Sequence, residues 1–405
     1  MFKRSAGYPT RRHALTGLLA AMGSLNMPAT VAQTISAGRV GKISLKMKQR
    51  LRHDGVQSLT WSPDGTCLVS YSGGREGYIL WDPFAGRELR QLGQPWSSFA
   101  TARQPKFTSD GRYVVVTPQN AKVGEVYAGF GLWNVASGNI DHLVPFPTRY
   151  FLRQRKGDPF FFSIPGQNRA LVYFHGGLFQ AGTPIFLYGT DTWEIVDAPV
   201  RLPEALINSI DLSPDGQLVA IGGGRTGPFV GDDMGEIWVH DLVKGSTLLH
   251  IKGAHKNAVG HLKFSPDGKF LTSAPGEIGA NVRNERTAQL ELMNDPDPVR
   301  IWDIATGQKA ASFYGLFPGV SNVTFSPDGN WVAATLGTII GMTDGPEMRI
   351  WNWRDGALLA AVGHRHWTAS AEHVEFSPDG RHLAMAGTNK SGSDWIDIAE
   401  IITAA

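Results

Sequence analysis

A four-residue sequence, Ser-Pro-Asp-Gly, recurs along the chain and constrains its fold more than any other feature. Five copies are present, at residues 62–65, 213–216, 265–268, 326–329 and 377–380. Two degenerate copies, at 108–111 and 163–166, complete the series, so successive starts lie 46 (62 to 108) to 61 (265 to 326) residues apart. A period of this length is typical of repeat proteins, in which each repeat forms one supersecondary unit. The sequence therefore predicts seven structural repeats.

Each copy predicts a β-hairpin. Proline sets φ at the first central position of a tight turn, and glycine accepts the positive φ that such turns require. Apolar and polar residues alternate before each copy, as in Leu262-Lys263-Phe264, and an apolar run follows, as in Leu218-Val219-Ala220-Ile221. Alternating runs on both sides of a tight turn indicate two antiparallel strands.

A second motif follows each hairpin and consists of an apolar residue, Trp, and Asp or Asn. Its instances are Leu80-Trp81-Asp82, Leu132-Trp133-Asn134, Ile301-Trp302-Asp303 and Ile350-Trp351-Asn352. In repeats three, four and seven its place is taken by Tyr188-Gly189, His240-Asp241 and Ala399-Glu400. A polar turn and one more short strand then complete four strands per repeat.

This arrangement resembles the WD40 repeat over about residues 40 to 402. The resemblance implies an all-β, seven-bladed β-propeller with four-stranded antiparallel blades. The Gly-His pair that often opens such a repeat is found only in loose form, at Ala254-His255 and Gly363-His364. We therefore expect the buried His–Asp–Ser–Trp hydrogen-bond chain of this family to be missing from most blades.

The predicted blades span about residues 52–95, 96–145, 146–202, 203–252, 253–313, 314–362 and 363–402. The last blade has only three strands downstream of Gly363. The alternating segment 42–48 precedes the first blade. We expect it to supply the missing outer strand, because this pairing closes the ring and covers an open sheet edge.

The first 32 residues resemble a twin-arginine export signal. They hold Arg11-Arg12 and no acid, then a moderately apolar stretch that is too short to span a membrane, then small residues up to Ala32. We expect residues 1–32 to be a cleaved signal peptide and residues 33–405 to be a periplasmic propeller without membrane insertion. Ala14 and Thr16 depart from the twin-arginine pattern, so the general secretory route stays open.

Composition argues against nucleic acid as a partner. The formal net charge is +2, and residues 1–32 contribute four positive charges, which leaves 2 − 4 = −2 for the rest. A nearly neutral surface offers no electrostatic basis for binding phosphate backbones. The single cysteine, Cys67, lies in an apolar-leaning run and is expected to be a small buried hydrophobe.

Extra length in the repeats is concentrated between the second and third strands. The extended connections are residues 118–129, 175–183, 222–235, 274–298 and 337–347. In WD40-type propellers this connection lies on the same face as the links between blades, so all the extra length falls on one rim. Insertions confined to one face usually mark a binding face.

The segments on this rim carry arginine, aromatic and methionine side chains, the types enriched in the centres of protein interfaces. The candidate partner-binding residues are Phe99, Arg225, Phe229, Asp233, Arg283, Arg286, Met293, Met342 and Trp367. We predict a non-catalytic scaffold that binds another protein, either a periplasmic protein or the periplasmic face of a membrane complex.

Catalytic, metal and cofactor sites are not predicted. Asp232-Asp233 and residues 294–297 could offer oxygen ligands to calcium, but their spacing matches no EF-hand loop. His364-Arg365-His366 has no third ligand, and Gly222-Gly223-Gly224 is not followed by the Lys-Ser/Thr of a phosphate loop. The alternative is an exported propeller enzyme or redox-cofactor protein of the quinoprotein or lactonase kind, which fold and export route alone suggest.

Overall fold

The computed structural model describes residues 43–72, 77–92, 105–116, 129–145, 158–164, 166–175, 185–196, 207–224, 235–276, 298–313, 320–336, 346–363, 370–388 and 394–403. In these ranges the regular elements are β-strands, arranged in seven antiparallel sheets. Each sheet is one blade, and the first strands of neighbouring blades contact one another around the ring. The predicted all-β, seven-bladed propeller is confirmed.

The strand bounds follow the predicted repeats. Strand β1 (Ile43–Arg52) precedes blade 1, which contains β2 (Val56–Trp61), β3 (Leu68–Ser72), β4 (Tyr78–Asp82) and β5 (Arg87–Leu92). Blades 2 and 3 contain β6 (Lys106–Phe107), β7 (Tyr113–Val116), β8 (Gly129–Asn134), β9 (Ile140–Pro145), β10 (Asp158–Ser163), β11 (Arg169–His175) and β12 (Ile185–Gly189). Blades 4 and 5 contain β13 (Ile207–Leu212), β14 (Leu218–Gly224), β15 (Gly235–Asp241), β16 (Ser246–His255), β17 (Val259–Phe264), β18 (Phe270–Pro275), β19 (Val299–Asp303) and β20 (Lys309–Phe313). Blades 6 and 7 contain β21 (Val320–Phe325), β22 (Trp331–Leu336), β23 (Pro346–Asn352), β24 (Ala357–Gly363), β25 (Ser370–Phe376), β26 (His382–Thr388) and β27 (Asp394–Thr403).

Blade 3 begins a fourth strand within the described residues. Its sheet contains β10, β11 and β12, and an antiparallel bridge joins Tyr188 to Ile195. The amide of Val196 also donates a hydrogen bond to the carbonyl of Leu187, at 2.9 Å. Residues 194–196 therefore start the same outer pairing that the other blades show.

The ring closes as predicted, because β1 is the outer strand of blade 7. It pairs antiparallel with β27 from Ile43 opposite Thr403 to Arg52 opposite Trp395. Within this pairing, the guanidinium of Arg50 donates two hydrogen bonds to the carboxylate of Asp397, at 2.6 and 2.7 Å. Chain segments from the two ends of the propeller thus share one sheet.

The core lies between the blades. The described apolar residues form seven clusters, and each cluster combines residues from two neighbouring blades. In the cluster between blades 7 and 1, for example, Leu59 and Trp81 pack with Ala384 and Ile396. Burying one such large side chain contributes about 1.5–3 kcal/mol, so every blade depends on both neighbours for its stability.

The Ser-Pro-Asp-Gly turns stabilise the hairpin of their own blade. In blade 4 the hydroxyl of Ser213 donates to the carboxylate of Asp215, at 2.6 Å. The same hydroxyl accepts from the amide of Leu218, at 2.8 Å, so one side chain closes the hairpin. Gly216 takes a φ of 70°, the left-handed conformation that favours glycine.

These turns also connect neighbouring blades. A Cβ added to Gly268 would lie 3.7 Å from the proline ring of Pro214 in the preceding blade. The same contact recurs between Gly329 and Pro266, Gly380 and Pro327, and Gly65 and Pro378. The proline of each turn therefore packs against the glycine of the next turn around the ring, a relation that the single-repeat pattern does not reveal.

The degenerate copy in blade 3 lies one residue away from its predicted position. Ile164, rather than Ser163, occupies the serine position, because its amide donates to the carbonyl of Arg169, as that of Ser213 donates to Leu218. The side chain of Ser163 instead bonds to the amide and the hydroxyl of Ser109 in blade 2, both at 3.0 Å. Ser163 therefore joins two blades and does not close its own hairpin.

Candidate functional site

The strand directions define two faces of the disc. Because neighbouring strands in a blade are antiparallel, the chain leaves the second and the fourth strand on the same side. We call this side the connection face, and we call the opposite side, which carries the Ser-Pro-Asp-Gly turns, the turn face. The longest predicted connection, residues 274–298, joins the end of β18 at Pro275 to the start of β19 at Val299, and both of these strand ends lie on the connection face.

The candidate partner-binding residues lie outside the described residues. They are Phe99, Arg225, Phe229, Asp233, Arg283, Arg286, Met293, Met342 and Trp367. The possible calcium ligands near Asp232 and residues 294–297, and the histidines of 364–366, also lie outside them. Each of these segments joins strand ends on the connection face, and the role of each residue stays a prediction.

The triple glycine at 222–224 belongs to strand β14. A Cβ added to Gly222 would lie 2.4 Å from the hydroxyl oxygen of Ser209 and 2.7 Å from a methyl carbon of Val259 in blade 5. Glycine is therefore needed at this position for the close approach of two blades. That packing accounts for Gly222 without a phosphate ligand.

The connection face has a rigid anchor where the longest connection departs. The amide of Gly276 donates to the carbonyl of Ala258, at 2.9 Å, and the amide side chain of Asn257 donates to the carbonyl of Gly276, at 3.4 Å. The backbones are so close that a Cβ on Gly260 would lie 2.2 Å from the Cα of Gly276. The first residue of the connection is thus held against the link between blades 4 and 5.

Among the described residues, two blades contain a buried histidine–serine–tryptophan network at this face. In blade 1 the hydroxyl of Ser70 lies 2.7 Å from Nδ1 of His53 and accepts from the indole of Trp81, at 2.8 Å. Burial lowers the pKa of His53 to about 4, so this imidazole is neutral at pH 7. The sequence pattern missed His53 because Arg52, rather than glycine, precedes it.

The second network lies in blade 5, where the sequence did indicate a histidine. Ser273 lies 2.7 Å from Nε2 of His255 and accepts from the indole of Trp302, at 2.8 Å. Each network ties the segment that enters a blade to that blade's second and third strands. Each of blades 1 and 5 is therefore stabilised internally at the point where the chain enters it.

Blade 3 replaces the third-strand tryptophan in another way. Tyr188 stands at that position, and Trp193 follows in the turn after β12. Trp193 has a φ of 57°, at the turn position where glycine stands in five other blades: Gly86, Gly138, Gly245, Gly307 and Gly356. Its ring is 8% exposed and packs near Phe130 and Phe161. The turn thus supplies the indole that the strand lacks.

The cysteine is less buried than the sequence predicts. Cys67 is partly exposed and packs at the edge of the cluster between blades 1 and 2. Its thiol accepts a hydrogen bond from the hydroxyl of Thr66, at 3.6 Å.

A cluster of charged side chains surrounds the central channel, and the sequence did not reveal it. Residues one and three positions before each turn pack against the preceding blade, as Leu212 and Ile210 do. Residues two and four positions before each turn therefore lie on the opposite side of these innermost strands. The residues two positions before the turns are Thr60, Lys106, Phe162, Asp211, Lys263, Thr324 and Glu375.

The charged residues of this set interact across the channel. The field of Lys263 in blade 5 acts on Lys106 in blade 2, although these blades are not neighbours. The ammonium of Lys263 lies 3.2 Å from the carboxylate of Asp211, and the hydroxyl of Thr60 donates to Glu375, at 3.2 Å. An alignment of the seven repeats on their turns would have shown that these residues occupy equivalent positions. Their convergence depends on closure of the ring.

Two kinds of feature are absent from the described ranges. No group of three or more His, Cys, Asp or Glu side chains there is placed to hold a metal ion. No helix in those ranges has the length and apolar character needed to cross a membrane.

Comparisons with known proteins agree with this geometry. The family model for "WD domain, G-beta repeat" matches residues 45–82 and 246–277. These two stretches contain His53 with Ser70 and His255 with Ser273, the histidine and serine of the two buried networks. The family match therefore coincides with the two blades in which the histidine–serine–tryptophan network is described.

Relatives of known sequence share single stretches with this chain. WD repeat and SOCS box-containing protein 1 of Homo sapiens is 27% identical over 99 residues, which cover 24% of this chain and 21% of that protein. Apoptotic protease-activating factor 1 of Mus musculus is 25% identical over 249 residues, which cover 46% of this chain and 19% of that protein. The chain spans about a fifth of the length of these relatives.

A solved structure shares the whole architecture. One chain in a crystal structure of the mitotic checkpoint complex superimposes with a TM-score of 0.59 at 14% sequence identity. The match covers 88% of this chain and 90% of that chain, and at this identity it shows the fold alone. The repeats, the blade topology and these matches lead to one conclusion: the chain is a seven-bladed β-propeller in which residues 45–82 and 246–277 match the WD40 repeat.

Proposed function

We propose that this protein is a non-catalytic scaffold of the bacterial periplasm that binds another protein through its connection face. The partner is a second periplasmic protein or the periplasmic face of a membrane complex. The supporting observation is that every predicted long connection has both its ends on that face. Connections of this kind on a rigid frame are the usual location of binding residues.

The frame beneath the connection face is suited to this role. Seven interblade clusters hold the disc together, and Gly276 is pinned to Ala258 where the longest connection begins. Loop length adds little to the free energy of folding, so stability does not require the residues between Gly276 and Val299. Arg283, Arg286 and Met293 in that segment are of the types that supply binding energy at interfaces.

The similar proteins support protein binding in general terms. Apoptotic protease-activating factor 1 acts on a protease, as its name states, and the solved neighbour is a chain of a complex. The periplasmic location rests on a different observation, the export-like pattern of residues 1–32.

The proposal is tested by replacing residues 280–294 with a short Gly-Ser link. Partner capture from periplasmic extract is expected to fall at least tenfold, about 1.4 kcal/mol, because the interface side chains are lost. The melting temperature is expected to stay nearly constant, because the described residues already form seven interblade clusters and loop length adds little to the free energy of folding.

A matched control changes two arginines on the turn face, Arg112 and Arg381, to alanine. Both are exposed, and neither lies on the connection face. This double variant is expected to capture the partner as the unmodified protein does. Full binding by the loop variant, or an equal loss in the control, would move the interface away from the connection face.

A further inference from the structure

Titratable side chains from four blades converge on the central channel. They are Lys106 of blade 2, Asp211 of blade 4, His261 and Lys263 of blade 5, and His373 and Glu375 of blade 7. Each lies two or four positions before a turn, on the side of the innermost strand that faces away from the preceding blade's core. No two of blades 2, 5 and 7 are adjacent in the ring, so their side chains can approach one another only in the channel.

The cations of the channel act on His373 of blade 7. Burial, together with the fields of Lys106, His261 and Lys263, lowers the pKa of His373 to about 3. Burial together with the field of Lys263 lowers the pKa of Lys106 to about 8. Two ammonium groups from opposite blades therefore repel each other in a space from which much of the water is excluded.

Two carboxylates share the channel with the two lysines, and each also accepts a hydrogen bond from an uncharged group. Asp211 is bound to Lys263 and also accepts from the backbone amide of Phe264, at 2.8 Å. Glu375 accepts from Thr60 through one oxygen, and its other oxygen has no hydrogen-bond partner among the described residues. Burial raises the pKa of Glu375, while the fields of Lys106 and Lys263 oppose that shift.

Solvent reaches the side chain of one of the two lysines. Lys263 keeps 41% of its side chain exposed, although it lies among the innermost strands. The buried hydroxyl of Ser58, two positions before Thr60 on β2, has no hydrogen-bond partner among the described residues. An ammonium group and a hydroxyl are both donors that suit a phosphate, sulfate or carboxylate oxygen.

We propose that the channel binds one compact oxyanion on its axis, held between the ammonium groups of Lys106 and Lys263. The anion relieves the repulsion between the two lysines, and Ser58 offers a further donor. Asp211 positions Lys263 through the 3.2 Å ion pair. The site is separate from the proposed protein interface, and each stands without the other.

The test is a calorimetric titration of the full protein, at low ionic strength, with inorganic phosphate, sulfate and acetate in turn. At least one of them is expected to bind saturably with one site per chain. Binding is expected to weaken as the pH rises through about 8, because Lys106 then loses its proton. An NMR titration of His373 should show its pKa raised by the bound anion.

Three variants distinguish anion binding in the channel from binding elsewhere on the protein. Lys106→Gln is expected to weaken binding at least tenfold, because one of the two cations is removed. Glu375→Gln is expected to tighten binding at least threefold, because a competing carboxylate is neutralised and the amide oxygen can still accept from Thr60. Lys252→Gln on the outer strand β16 is exposed, far along the blade from the channel, and is expected to change nothing.

The opposite signs separate binding from damage to the fold. If Lys106→Gln does not fold, Glu375→Gln and the His373 titration still test the proposal. No saturable binding by any anion up to about 10 mM would overturn it, since weaker association carries under about 3 kcal/mol. Equal losses in the Lys106 and Lys252 variants, or weaker binding by Glu375→Gln, would overturn it as well.

Discussion

The conformation of Trp193 shows how one residue can combine strain with packing. A bulky residue at positive φ is an outlier, and the left-handed conformation costs about 1–2 kcal/mol. In exchange, the indole is placed among Phe130, Phe161 and His142, where it is nearly fully buried. Such burial contributes more than the strain costs, since truncating a buried tryptophan to alanine typically loses about 3–5 kcal/mol.

Substitutions at Trp193 should separate the two effects. Trp193→Ala is expected to lower the free energy of unfolding by about 3–5 kcal/mol, because the indole is lost and the strain is kept. Trp193→Gly is expected to be less destabilising by about 1 kcal/mol, because glycine accepts the positive φ. Urea unfolding of both variants measures the difference.

A matched control is Gly356→Ala, which measures strain alone at the equivalent turn position of blade 6. Its φ is 73°, and an added Cβ would meet no atom within 4 Å. The loss in this control is expected to equal the difference between the two Trp193 variants. A Trp193→Gly protein less stable than Trp193→Ala would contradict the strain at this residue.

At the scale of the element, the pairing of β1 with β27 depends on more than its backbone ladder. Asp397 is fully buried, and its carboxylate is held by the bidentate contact with Arg50. The same guanidinium lies over the ring of Trp395, 3.8 Å from its centroid. Lys48 and Glu400 form a second ion pair on this ladder, at 3.1 Å, but both side chains are about two-fifths exposed.

Two alanine substitutions on β1 should therefore differ in their effect. Arg50→Ala is expected to lower the free energy of unfolding by about 2 kcal/mol, because a buried carboxylate loses its partner while water reaches part of the site. Lys48→Ala is expected to change it by less than about 0.5 kcal/mol, as exposed ion pairs do. Equal losses in thermal or urea unfolding would show that the Arg50 pair does not hold the ring closed.

At the scale of the whole molecule, much of the fold follows from local patterns in the sequence. The Ser-Pro-Asp-Gly turns and the Trp-Asp motifs predict the blades because each motif determines its own hairpin. The alternation of residues 42–48 predicts the closing strand because an unpaired edge needs a partner. These inferences need only short-range geometry and the count of strands.

The remaining features depend on contacts between distant segments. Lys106 and Lys263 share a channel only because the ring brings blades 2 and 5 together, and no local pattern encodes that convergence. The sequence pattern missed His53 because the residue before it is not the glycine of the usual Gly-His pair. Its contact with Ser70 depends on the fold and is still made. The connection-face residues are of the right types for an interface, but sequence pattern alone does not say which of them touch a partner.

Site-specific crosslinking tests the proposed binding face most directly. A photoreactive amino acid would be introduced at position 283, in the segment whose two ends lie on the connection face, and another at position 244 on the turn face. The proposed function predicts a specific crosslinked partner from position 283, suppressed when unlabelled protein competes, and none from position 244. A competable partner captured only from position 244 would contradict binding through the connection face.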